Sequence, residues 1–487
     1  MTIIFGSKIS MSLLLAVQLS FWFIPETGSL VPPLTQKHPG NNATLENPPN
    51  LPRNKTSTPT KNRSTLRPVS KNAPATESHK SYIVLLNDQV EVSEFVSALK
   101  KSWASGSGSP LNENQVGYVY QEVGFKGFSA QLDDQAFKSL SRSAGVQEII
   151  PDTLVSVHPI DEVISDALAV TGLGVEPSHN ATVNAQGVPD HYSQKGTAPW
   201  GLQRIDQRKV ITTHGANSAA VNYDYYYSQP AGEGVIVYIL DTGARETHND
   251  FGGRVEMAAQ FGGYDLSDGN GHGTHCAGIV AGNRWGVAKK AQVKAIKVLA
   301  DDGSGSTSDV IAGVQYTLQQ YKASGYQPSV VSLSLGGDKN SALDRAVQAA
   351  INQGLHFVVA AGNSNTDACL SSPASVSGAN VVTASDIKDN RASYGSWGTC
   401  VDFFAPGTDI SSAWFSADDA VKRMSGTSMA TPHVAGLIAA HLSRQNYTTQ
   451  QMSDKLKRDA TQNVIYLGPA DSDPSSTPNL LLYNSLQ

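Results

Sequence analysis

The sequence predicts an α/β protein: a doubly wound, mostly parallel sheet with helices on both faces, preceded by a small α+β unit. Three observations carry this expectation. From Ala198 onward, apolar runs of strand length alternate with segments of helical periodicity. Residues 81–157 read, on a smaller scale, as strand-helix-strand-strand-helix-strand. Around these two units lie stretches rich in Pro, Gly, Asn and Ser that hold few apolar residues.

The small unit opens with the buried strand Ser81–Leu86, followed by Val92, Phe95, Val96 and Leu99 at helical spacing. Strands are expected at Val116–Val123 and Gly127–Leu132, a helix around Ala136, Phe137 and Leu140, and closing strands at Val146–Ile150 and Leu154–Val157. Residues 158–197 are polar and carry Pro159, Gly172, Gly174, Pro177, Gly187 and Pro189, so they read as a linker open to cleavage. In the large unit, 198–487, strands are expected at Gly234–Leu240, Val293–Leu299, Ser329–Leu335, Leu355–Ala360 and Asn380–Thr383. Helices are expected at Thr274–Ala281, Asp309–Tyr321, Leu343–Asn352 and Ser428–Leu442. Pro432 is expected in the first turn of the last helix, where its missing N–H costs little, so Ser428 reads as a helix-start residue. In such sheets, chemistry gathers at the C-terminal ends of the strands.

Composition bounds the partners. The net charge is −6, but residues 31–80 hold eight basic and only two acidic residues, so the body from residue 81 onward is clearly acidic. An acidic body argues against nucleic acid as a partner. Lys8 precedes an apolar run, Met11–Ile24, too short for an ordinary membrane span. Residues 1–29 therefore read as a signal peptide, with a signal anchor as the alternative, and the chain as secreted, with no membrane contact after signal removal. Residues 30–79 hold nine of the 24 prolines and read as disordered. Sequons at Asn42, Asn54, Asn62, Asn180 and Asn446 are candidate glycan sites. Three cysteines, Cys276, Cys369 and Cys400, are too few for a disulfide framework and lack metal-ligand spacing; one bridge and one free thiol is the simplest outcome in a secreted chain.

Four positions at expected strand or helix ends carry chemistry. Asp241 directly follows the strand Val235–Leu240, a place where a carboxylate can be buried yet hydrogen-bonded and so orient an imidazole. His272 lies in Gly271-His272-Gly273-Thr274-His275-Cys276-Ala277-Gly278, where flanking glycines leave an imidazole uncovered as a general base. His275 reads as a packed helix histidine. Asn363, in Ala360-Ala361-Gly362-Asn363, can offer an amide to an oxyanion, as can the backbone N–H of Ser428. Taken singly, each has an ordinary structural reading: a turn carboxylate, a turn asparagine or a helix cap.

Together they occur in the order Asp, His, Ser. Asp241-Thr242-Gly243, residues 271–278 and Gly426-Thr427-Ser428-Met429-Ala430-Thr431-Pro432-His433-Val434-Ala435-Gly436 resemble the three signatures of subtilisin-like serine proteases, peptidase family S8. Cys276 and Ala198-Pro199-Trp200-Gly201-Leu202 resemble the proteinase K branch. Residues 80–157 are similar to the family's ferredoxin-like inhibitory propeptide, of the I9 type. The resemblance implies a serine endopeptidase made as an auto-processed zymogen, a monomer with polypeptide substrates and with its own propeptide as intramolecular inhibitor. It needs no cofactor for catalysis. Ser428 is implied as nucleophile, His272 as general base and acid, Asp241 as orienting carboxylate and Asn363 as oxyanion donor. Substrate is implied to lie as an added strand between Ser334-Leu335-Gly336 and Gly303-Ser304-Gly305, with broad, apolar-leaning specificity. A Cys369–Cys400 disulfide, a buried Cys276 thiol and a structural calcium held by Asp402 and the carbonyls of Ser377 and Ala379 are also implied. Two alternatives stand beside this reading: a catalytically silent secreted binding protein, and a processing protease with a paired-basic preference.

Overall fold

The computed structural model describes residues 80–105, 115–157, 179–183, 189–468 and 476–486. The expected signal segment 1–29, the segment 30–79 with Asn42, Asn54 and Asn62, and most of the connector lie outside the described residues.

The small unit contains β1 (Lys80–Leu86), α1 (Val92–Ser105), β2 (Gln115–Glu122), β3 (Phe125–Leu132), α2 (Asp134–Leu140) and β4 (Val146–Pro151). Its antiparallel sheet has the order β2-β3-β1-β4, as the split βαβ pattern requires. Alternation along β1 sorts its side chains: Val84 and Leu86 pack with Val92, Val96 and Phe128 beneath the two helices, while Ile83 and Leu85 join the core of the large unit. Both faces of this sheet are therefore covered.

Two expectations are corrected here. Leu154–Val157 does not close the small sheet. β5 (Leu154–Ser156) leaves it after Pro151 and pairs antiparallel with β12 (Ser304–Ser306) of the large unit. Pro151 has no N–H to continue the ladder, and Asp152 instead accepts from Ser308 N at 2.9 Å and Ser308 Oγ at 2.7 Å. Nor is 158–197 a linker throughout: β6 (His179–Val183) and β7 (Pro189–Ala198) form a three-stranded sheet with β8 (Tyr223–Ser228). The polar composition of β7 hid it, because the apolar surface comes from its partner; Tyr192 stacks on Tyr227 with centroids 5.5 Å apart. Between β7 and β8 runs the short helix α3 (Trp200–Ile205).

The remaining elements are β9 (Ile236–Asp241), β10 (Val255–Gln260), α4 (His272–Ala281), β11 (Gln292–Lys297), α5 (Thr307–Ala323), β13 (Ser329–Leu333), β14 (Gly337–Asp338), α6 (Ser341–Asn352), β15 (His356–Ala360), β16 (Ser371–Ser372), β17 (Asn380–Ser385), β18 (Phe403–Pro406), β19 (Ile410–Ala413), β20 (Val421–Met424), α7 (Thr427–Leu442), α8 (Thr449–Asp459), β21 (Thr461–Gln462) and β22 (Leu480–Leu481). The main sheet has the order β10-β11-β9-β13-β15-β17-β18-β22-β21, parallel except at its β21 edge. β9 shows why it needs cover on both faces. Val237 and Ile239 pack on the side of α4 and α7; Ile236, Tyr238 and Leu240 pack on the side of α5 and α6. Among the described residues, no helix is long and apolar enough to cross a membrane.

α7 is buried along its whole length, as expected of a helix that is apolar all round. Pro432 lies in its second turn, not its first. The carbonyl that loses its helical partner is that of Ser428, and it is satisfied from outside the helix: Ser334 Oγ donates to it at 2.9 Å and Cys276 Sγ at 3.6 Å.

Candidate active site

The C-terminal ends of β9, β13 and β15 deliver the residues in question to one place, and α4 and α7 start there. Asp241 is the last residue of β9 and His272 the first of α4; both are fully buried. His272 Nδ1 lies 2.8 and 2.9 Å from the two oxygens of Asp241. Thr242 N donates to the same carboxylate at 2.7 Å and helps fix it. The approach is close enough that α4 must carry glycine beside His272. A Cβ on Gly273 would lie 2.1 Å from the Gly243 carbonyl. Burial disfavours charge on His272, but Asp241 outweighs it, and the imidazole is held well above its ordinary pKa.

Ser428 is the second residue of α7 and is 3% exposed. Its Oγ donates to the Ser334 carbonyl at 3.1 Å. His272 Nε2 has no hydrogen-bond partner among the described residues. Asn363 follows β15 by three residues, and its Oδ1 accepts from Thr427 N at 2.9 Å and Thr427 Oγ1 at 2.8 Å. With the oxygen fixed, the amide nitrogen is turned toward Gly426. A Cβ on Gly426 would sit 3.3 Å from Asn363 Nδ2 and 3.6 Å from Ser428 N, so both donors lie close to the same backbone position.

Several residues that organise the site were not singled out from the sequence. Asp268, 8% exposed, accepts from Asn270 N, Gly271 N, Thr242 Oγ1 and Thr274 N, and so shapes the loop that presents His272. The signal was present as an aspartate opening Asp268-Gly269-Asn270-Gly271, the pattern of a side chain capping its own turn. Thr427, which fixes Asn363, carries no such local mark, and Ser334, expected only as part of a substrate edge, also donates to the Ser428 carbonyl. His275 is a packed histidine: its Nε2–H faces the carbonyls of Ile410 and Lys422 at 3.0 and 3.1 Å, and burial lowers its pKa to about 3.

The cleft beside these residues is lined by the expected edges, and the chain's own β5 lies between them. Ser304 and Gly305 pair with Ser156 and Val155. Val157 N donates to Gly303 O at 3.0 Å, and Ser156 exchanges two bonds with Gly336, at 3.0 and 3.1 Å. Ser334 and Leu335, both buried, continue that edge back toward Ser428. Val155 and Val157 are buried in the cluster that includes Leu299 and Leu335.

Cys276 is buried and free, with Sγ 3.9 Å from His272 Nδ1, and burial pushes its thiol up. Asp241, His272 and Cys276 are the described residues whose donors cluster closely enough for a metal, but Asp241 and His272 already satisfy each other. Cys369 and Cys400 are joined, with Cα atoms 5.4 Å apart. Asn446 is exposed between α7 and α8, whereas the Asn180 side chain lies outside the described residues. Asp402, Ala379 and Ser377 lie around the opposite, N-terminal ends of β17 and β18.

Residues 232–476 match the subtilase family (peptidase S8), and residues 81–158 match the peptidase inhibitor I9 family. The chain is 41% identical over 378 residues to the subtilisin-like proteinase Spm1 of Pyricularia oryzae, covering 74% of this chain and 65% of that protein. It is 44% identical over 314 residues to cerevisin of Saccharomyces cerevisiae, covering 60% and 48%. The chain thus spans about half to two thirds of the length of these relatives. The crystal structure of a cold-adapted subtilisin-like serine proteinase superposes with a TM-score of 0.51 at 42% identity, covering 59% of this chain and 98% of that one. On the match across its large unit and the sheet it shares with that structure, the chain belongs to the subtilase family, with an I9 domain ahead of the family's fold.

Proposed function

We propose that the chain is a serine endopeptidase made as a zymogen, in which Asp241, His272 and Ser428 hydrolyse peptide bonds through an acyl-enzyme. The observation that carries this reading is β5: an extended segment of the chain lies as an added strand in a cleft that runs to Ser428, flanked by backbone edges that would take any peptide. Ser428 Oγ needs to turn from the Ser334 carbonyl to His272 Nε2. It then attacks the substrate carbonyl while His272 takes its proton, and Asp241 stabilises the imidazolium. Charge on the carbonyl oxygen falls between Asn363 Nδ2 and Ser428 N. Collapse breaks the C–N bond, the leaving amine takes the proton from His272, and water then cleaves the ester by the same route.

Residues 80–157 act as the intramolecular inhibitor until the connector is cut. Burial of Val155 and Val157 among apolar side chains of the cleft supports an apolar-leaning preference. Secretion, monomeric state and glycans at Asn446 and Asn180 belong to the same reading. A fluorophosphonate probe tests it: matured protein labels at Ser428, and loss of label in Ser428→Ala is expected. Unlabelled, correctly matured protein would overturn it.

A further inference from the structure

Asp402 precedes β18, and it is the one side chain that the family resemblance implies for calcium, beside the carbonyls of Ser377 and Ala379. A calcium site built from one carboxylate, carbonyls and water depends on that carboxylate for all of its charge. In this chain both carboxylate oxygens are engaged. Oδ1 lies 2.6 Å from Lys457 Nζ, and Oδ2 accepts from Val381 N at 2.9 Å. A divalent ion bound to Asp402 would stand within a few ångströms of the ammonium, which repels it. The donor set therefore does not fit a calcium ion while Lys457 is in place.

We propose that Lys457 is the resident cation of this site, and that its ammonium holds together, without metal, the elements a bound ion would otherwise join. The placement of each partner supports this. Asp402 clasps β17 twice, through its carboxylate and through its own N–H, which donates to Val381 O at 2.9 Å. Lys457 sits in the last turn of α8, and its neighbour Leu456 is buried together with Met452, so the helix is fixed by apolar packing before the ion pair forms. A basic residue there also suits the helix dipole. The other charged side chains of that turn are turned elsewhere, since Lys455 and Arg458 pair with Asp459. The Asp402 side chain is only 17% exposed, so little water reaches its carboxylate. Without a cation, the carboxylate is left in a poor environment.

The test uses the full-length Ser428→Ala protein, which cannot digest itself, and reads melting and terbium luminescence rather than turnover. The parent is expected to melt at the same temperature in calcium and in EGTA, and to show no terbium signal that Asp402→Asn abolishes. Lys457→Met is expected to melt roughly 2–4 °C lower in EGTA, to recover in calcium and to acquire an Asp402-dependent terbium signal. Lys457→Arg is expected to behave as the parent. An EGTA-sensitive parent whose sensitivity disappears in Asp402→Asn overturns the proposal. So does a Lys457→Met protein that melts as the parent does in EGTA. If Lys457→Met does not fold, the terbium and EGTA measurements on the parent and Asp402→Asn decide alone.

Discussion

In the proposed mechanism the two nitrogens of His272 take different parts. Nδ1 is committed to Asp241, while Nε2 is left for the serine. Because Asp241 holds the imidazole above its ordinary pKa of about 6.5 and only the neutral ring can accept a proton, kcat/KM should fall as pH drops through that raised value. Asp241→Asn should shift this acid limb downward and lower kcat by about ten-thousandfold, which a pH series on a chromogenic peptide would check. At this scale the sequence was most legible. Asp241, His272, Asn363 and Ser428 sit beside glycines whose spacing marks them. Asp268 and Thr427 were harder to see, because their roles depend on which backbone groups the fold brings within reach.

In the main sheet, β9, β11, β13, β15 and β17 follow the expected apolar runs closely, because burial on both faces leaves such runs, whereas the outer strands β10, β18, β21 and β22 were not read from the sequence. β5 and β7 were misread for related reasons: the partner strand lies on another unit or supplies the apolar surface, and no local pattern records that. Pro432 was misplaced because a proline in the second turn is tolerable only if another group satisfies the freed carbonyl, and Ser334 does so from β13's end. Pro432→Ala returns a donor to the Ser428 carbonyl within the helix. It should raise the melting temperature while lowering kcat, since the first turn of α7 is drawn inward. Equal losses in both would contradict the assignment. Gly303 has φ +84° and a Cβ there would meet Val157 2.7 Å away, so Gly303→Ala should weaken inhibition by a separately added 80–157 domain tenfold or more.

At the scale of the whole molecule, four of the buried histidines outside Asp241, His272 and Ser428 among the described residues oppose stability in acid. Burial holds His275 and His441 down to about 3, and His356 and His433 down to about 4. The unfolded chain takes up protons near pH 6.5 that the fold refuses, so stability falls as pH drops from about 6.5 toward 4, by up to ~1.4 kcal/mol per pH unit for each histidine. His272, with its raised pKa, works in the opposite sense. Urea midpoints of the Ser428→Ala protein should therefore be lower at pH 5 than at pH 7.

β5 is joined to the domain it occupies by one continuous chain, and that gives the zymogen a property its contacts alone do not have. While the connector is intact, the tail meets the cleft at an effective concentration on the order of millimolar, whatever the protein concentration. Once it is cut, the same strand competes only at its real concentration, with the two ion pairs Glu122–Lys322 and Glu148–Arg345 and the Asp152 cap to retain it. Activity released by cleavage should therefore grow on simple dilution, whereas uncut protein should stay silent at any dilution.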